Sequence, residues 1–156
     1  MDRWLLTALL LLLGLFAWGD FTVQALLPVP ARPHWPETSY WVVGRLALEG
    51  HADRIYAGPA VLGQESIRLG TLPDIFEPNP PTTVLLLLPF ALVDERTGYR
   101  LWVVFSLACF GVAWALLLRA LRLPVLTLMA VWAVTPLFQP LHENINWGQA
   151  YLVAFG

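Results

Sequence analysis

Between the first apolar segment and Pro81 the chain carries seven acids (Asp20, Glu37, Glu49, Asp53, Glu65, Asp74 and Glu77), four arginines (Arg32, Arg45, Arg54 and Arg68) and most of its prolines. A carboxylate within hydrogen-bond reach of a hydroxyl can take its proton as a general base. An arginine offers a permanently charged planar fork that matches phosphate oxygens. The run Ile75-Phe76-Glu77-Pro78-Asn79-Pro80-Pro81 joins this polar stretch to the apolar residues Thr82 to Val93, so an acid and three prolines stand at the mouth of an apolar helix. A second polar cluster, His142, Glu143, Asn146 and Gln149, lies between two later apolar segments. His142 with Glu143 is too sparse for a metal site, which needs three or four ligands, and His34 and His51 belong to the other polar stretch. No metal and no cofactor are expected.

The elements that position these groups are set by composition. Of the 156 residues, 58% are hydrophobic and 13% charged, with mean hydropathy +0.63, which describes a membrane protein. The net charge of -2, with nine arginines and no lysine, gives no field for nucleic acid, which is dropped as a partner. The single cysteine, Cys109, sits in an apolar run; it excludes a disulfide framework and reads as a small buried hydrophobe.

Trp4 to Trp18 is the first apolar segment, extendable through Phe21 and Val23; the competing reading is a signal peptide cleaved near Ala17-Trp18-Gly19. The following stretch of about 60 residues is too long for a simple connection and should hold helices of its own. One helix is readable: Thr38 or Ser39 caps it, Gly50 ends it, and Tyr40, Val43, Leu46 and Ala47 recur at helical spacing. That pattern suits a helix on the membrane surface with Trp41 at headgroup depth. Pro59 to Leu69 is a second, weaker candidate.

Pro81 to Val93 is about 13 residues, interrupted by Pro89, so a crossing or a re-entrant course are both open. Leu101 to Leu118 is a clear span ending at Arg119 and Arg122; Val125 to Phe138 is another candidate. A further apolar helix begins at Ala150, which leads us to expect the amino-terminal fragment of a larger polytopic protein. The expected fold is all-α: a first transmembrane helix at 1–19, a long extracytoplasmic loop with amphipathic surface helices at 20–81, and further transmembrane or re-entrant helices at 82–156. If Pro81 to Val93 does not cross, Arg119 and Arg122 fall on the cytoplasmic side, as the charge rule prefers.

Tyr40-Trp41-x-x-Gly44-Arg45-Leu46-Ala47-Leu48-Glu49-Gly50, then Ile55-Tyr56, Phe76-Glu77-Pro78-Asn79-Pro80-Pro81, Pro89-Phe90-Ala91-Leu92, Leu101-Trp102 and Gly148-Gln149 follow one order. Over Glu37 to Gln149 the chain resembles the amino-terminal part of glycosyltransferase family 87, polytopic mannosyltransferases that use polyprenyl-phosphate sugars. The resemblance implies a multi-pass cell-membrane enzyme with a long first extracytoplasmic loop, an acid in that loop as base, and a lipid-phosphate donor. Its partners would be membrane lipids, the polyprenyl-phosphate sugar and a glycan or glycolipid acceptor.

The family opens its loop helix with Asp-Phe, whereas Pro36-Glu37-Thr38-Ser39 stands here and the only Asp-Phe is Asp20-Phe21. The base is therefore Asp20 or Glu37. Arg45, Arg32 and Arg68 are the candidates for the donor phosphate, and Glu77, Asn146 and Gln149 for acceptor or sugar contacts. Each has a plainer alternative: Asp20 as a polar stop or cap, Glu37 as a first-turn acid, Glu77 as a solvated loop acid, the arginines as snorkelling side chains. Trp35 and Trp41 are candidate sugar platforms, with interface anchoring as the alternative. A different class of function, a transporter fragment or a non-enzymatic assembly subunit, would place polar residues at mid-bilayer, and the spans carry almost none.

Overall fold

The computed structural model describes residues 2–73 and 81–148. Among them every regular element is helical: α1 (Arg3–Phe21), α2 (Thr38–Leu48), α3 (Pro59–Arg68), α4 (Pro81–Ala91), α5 (Glu95–Leu121), α6 (Val125–Val134) and α7 (Gln139–Trp147), with short 3-10 or π turns between some of them. Two of these stretches are long and apolar enough to cross a membrane, Arg3–Ala31 and Glu95–Leu121; the pair Val125–Leu137 and Gln139–Trp147, bent by 43°, gives a third if it counts as one span. The chain divides into two compact units.

Unit 1 takes residues 1–31 and 106–146, with 151–156 beyond the described residues. Its first helix runs past Trp18 because Phe21 and Ala25 continue the apolar face of Ala17, all three being buried. A π-helical turn over Thr22–Leu26 carries it on. α1 packs on α6 where Gly14 leaves room for the Trp132 indole; a Cβ there would overlap the ring. The Trp18 indole donates to the Trp132 carbonyl at 3.2 Å, and the Phe21 ring meets His142 edge-on at 4.9 Å. The polar cluster that begins at His142 lies on a helix as far as Trp147. Pro140 stands in its first turn, where a missing N–H costs nothing. Gln139 donates to Glu143 at 2.8 Å, and Leu141, Asn144 and Ile145 form its buried face. Cys109, expected to be buried, is half-exposed.

Unit 2 takes residues 32–105 and 147–150, described as far as Gly148. The helix expected on the membrane surface is instead a core helix. Residues Thr38 to Gly44 and Leu46 of α2 are buried, because α4 covers one side and α3 another. Gly44 permits the approach to α4: a Cβ on it would stand 2.6 Å from the Ala91 Cβ. Trp41 is part of this packing. Its indole donates to the Val93 carbonyl at 3.0 Å, and Arg45 donates to the Ala91 carbonyl at 3.3 Å, so two carbonyls left open beyond the end of α4 are satisfied by α2 side chains.

The expected stop at Gly50 holds, with φ 81° after α2, and Gly70 takes φ 76° after α3. His51 N–H returns to the Leu46 carbonyl and Thr71 N–H to that of Ser66, closing both helix ends in the same way. The expected start does not hold. Glu37, not Thr38 or Ser39, occupies the cap position of α2, and no side-chain cap bond is made there. α4 continues two residues past Pro89, which therefore stands in its last turn rather than breaking it. Asp94 caps α5 by accepting the Thr97 N–H at 3.1 Å, and hydrogen bonds from the Thr97 hydroxyl and N–H hold the Asp94 carboxyl below its usual range.

Candidate active site

The segment Arg32-Pro33-His34-Trp35-Pro36-Glu37 cannot be helical, because each proline restricts the residue before it and supplies no N–H. Its polar backbone must find partners elsewhere in unit 2. Glu95, in the first turn of α5 and only 8% exposed, supplies them. One carboxylate oxygen accepts the Trp35 N–H at 3.0 Å and the Thr38 hydroxyl at 2.6 Å; the other meets His34 Nδ1 at 2.9 Å. The two bonds to one oxygen bracket Pro36-Glu37, so Glu95 holds the backbone at Trp35 and the side chain of Thr38 on either side of Glu37. Three donors on one carboxylate offset the cost of burying its charge.

The turn is held from a second side by aromatic packing. Trp35 is buried against Tyr40, Tyr99 and Trp102, and its indole donates to the Gly148 carbonyl at 3.2 Å. Gly148 has φ 70°, and a Cβ there would overlap that indole. Arg32 donates to the Tyr99 hydroxyl at 2.8 Å. Neither Trp35 nor Trp41 offers a ring face for a sugar, since both are buried.

A second charged group lies where α2, α3 and the turn Ala52–Arg54 end. Arg68 pairs with Glu49 at 2.6 Å and with Glu65; Arg54 pairs with Glu65 at 2.5 Å; Arg45 stands 3.7 Å from Glu49 and over the Trp41 ring. Hydrogen bonds from Arg68 first, then Arg54, pull the Glu65 carboxyl below its ordinary range. Three guanidinium groups and two carboxylates leave one net positive charge.

The expected residues are thus distributed unevenly. Arg45 and Arg68 come together through Glu49, while Arg32 belongs to the Tyr99 contact. Glu37 is buried in its turn. Asp20 lies in unit 1, inside α1 rather than beyond it, half-exposed and accepting from Gln24 at 2.5 Å. Asn146 is also in unit 1, half-buried on α7. Glu77 and Gln149 lie outside the described residues. Glu95, His34, Thr38 and Tyr99 were missed as site residues. The available signal was an acid pair, Asp94-Glu95, a few residues ahead of the apolar run that begins at Leu101, the pattern of a helix start whose second acid has a role of its own.

The buried acid and the arginine cluster are thus built within one unit of a chain whose described residues are all-helical and include candidate membrane spans. Residues 78–156, just over half of the chain, match the model of Glycosyltransferase family 87, and the chain belongs to that family. No curated protein and no solved structure matches it. The family is one of membrane glycosyltransferases. Of the expected motifs, Pro78 to Pro81, Pro89 to Leu92, Leu101-Trp102 and Gly148-Gln149 fall inside the match, as does Glu95; those from Tyr40 to Tyr56 precede it.

Proposed function

We propose that this chain takes part in hexosyl transfer, with mannose as the sugar, from a polyprenyl-phosphate donor to a lipid or glycan acceptor on the extracytoplasmic side of the cell membrane. In that reaction the acceptor oxygen bonds to the anomeric carbon while the bond from that carbon to the phosphate oxygen breaks, leaving polyprenyl phosphate. The acceptor proton passes to a carboxylate. Glu37 is the base in this reading, because its turn is clamped on both sides by one buried carboxylate, Glu95, and that contact carries the argument. Preorganisation of this kind is what general-base catalysis needs. Asp20 lacks such support and serves the helix end.

Arg45 and Arg68 hold the donor phosphate, with Arg32 as a further contact; Glu77, Asn146 and Gln149 are contacts to sugar or acceptor. Helix lengths support this sidedness. Residues 32–94 lie between two candidate spans, and α4, at 11 residues, is about 16 Å long against roughly 30 Å of hydrocarbon. The segment therefore stays on one side, and the short turn with Arg119 and Arg122 on the other, which the charge rule makes cytoplasmic.

The test expresses the complete gene and supplies labelled polyprenyl-phosphate mannose. Glu37→Gln should lower kcat about 10²- to 10⁴-fold while Asp20→Asn stays near wild type. The converse result moves the base to Asp20. Failure of every variant and of wild type to consume the donor removes the donor assignment.

A further inference from the structure

Unit 1 contains an open groove of about 550 Å³ whose walls are almost wholly apolar, formed by Leu11 of α1, Leu118 of α5, and Leu128, Met129 and Trp132 of α6, with Arg119 as its one charged lining residue. Arg119 and Arg122 are both exposed, so their guanidinium groups are open to an anion at the edge of the groove. Neither Arg119 nor Arg122 makes an ion pair or hydrogen bond with any described residue. From Leu101 to His142 they are the only formal charges, so no acid of these helices compensates them. Arg122 also takes φ 46°, at the position past α5 where glycine is cheapest, so a cation is kept in the turn at a conformational cost.

We infer that this groove is a binding site for an anionic glycerophospholipid, one acyl chain lying between α1, α5 and α6 and the phosphate meeting Arg119 and Arg122. The volume suits one acyl chain and is too small for the many isoprene units of a polyprenyl carrier. Basic residues at the edge of apolar helix clefts recognise anionic headgroups in this way. The site uses none of the residues assigned to sugar transfer and does not rest on that assignment.

Native mass spectrometry of the full-length protein from nanodiscs of mixed phosphatidylglycerol and phosphatidylcholine tests it. Wild type should retain one phosphatidylglycerol in preference to phosphatidylcholine. Arg119→Gln with Arg122→Gln should weaken that preference about 10- to 30-fold, and Arg119→Lys with Arg122→Lys should restore most of it. Leu128→Trp, which fills the groove, should release the lipid with the arginines intact. Equal retention of both lipids by wild type, unchanged retention in the glutamine variant or in Leu128→Trp, or displacement of phosphatidylglycerol by polyprenyl phosphate would each overturn the assignment.

Discussion

Two buried carboxylates of unit 2 solve the same physical problem differently. Glu95 is satisfied by a backbone N–H, a hydroxyl and an imidazole, so its role is to shape a turn. Glu65, 4% exposed, is satisfied by two guanidinium groups, and its role is to tie α3 to the end of α2 through Arg68 and Glu49. Because Arg54 and Arg68 are themselves about half exposed, solvent screens the pairing and it contributes less than a fully buried pair would. The Glu65 pKa is lowered on folding, so its contribution is complete above the ordinary glutamate pKa and disappears as pH falls through the depressed folded value. Hydrogen exchange of Pro59–Arg68 should therefore be faster in Glu65→Gln than in wild type at neutral pH, and the two should converge in acid. A difference that persists at the acid end would remove the charge from the explanation.

Helix packing here depends on single positions without side chains. Gly14 admits the Trp132 ring, Gly44 admits Ala91, and Gly98 admits the Phe90 carbonyl beside the Trp41 ring. Gly19, five residues beyond Gly14 on α1, meets nothing within 4 Å. The pair gives an internal control. Gly14→Ala should destabilise the α1 to α6 contact by about 1–3 kcal/mol, since ring or helix must shift. Gly19→Ala should be neutral or stabilise by up to about 1 kcal/mol through helix propensity. Denaturant titration followed by tryptophan fluorescence compares them, and equal behaviour of the two variants would mean that the ring does not lie on Gly14.

Across the full chain, Arg3–Ala31 and Glu95–Leu121 are the candidate spans, and α4, at 11 residues, is shorter than a crossing helix. The proposed topology predicts a labelling pattern. In a Cys109→Ala background, Asp94→Cys should react with an impermeant thiol reagent on intact cells, and Arg122→Cys only after permeabilisation. The opposite pattern would put Glu37 in the cytosol and end the proposed chemistry.

Composition was enough to establish a helical membrane protein, because charge was depleted along the whole chain and not merely moved to one face. The helix stop at Gly50 and the candidate span at Leu101 to Leu118 were legible for local reasons: positive φ and apolar length are properties of a few neighbouring residues. The partners of Glu95, the burial of α2 and the helical state of Gln139–Trp147 were not legible. Each depends on which surface covers another across tens of residues, and the spacing in α2 looks the same whether α4 or a lipid headgroup meets it. Only the tertiary structure decided that Trp35 and Trp41 are core residues and that the neighbours of Glu37, Trp35 and Thr38, are held by an acid some sixty residues away.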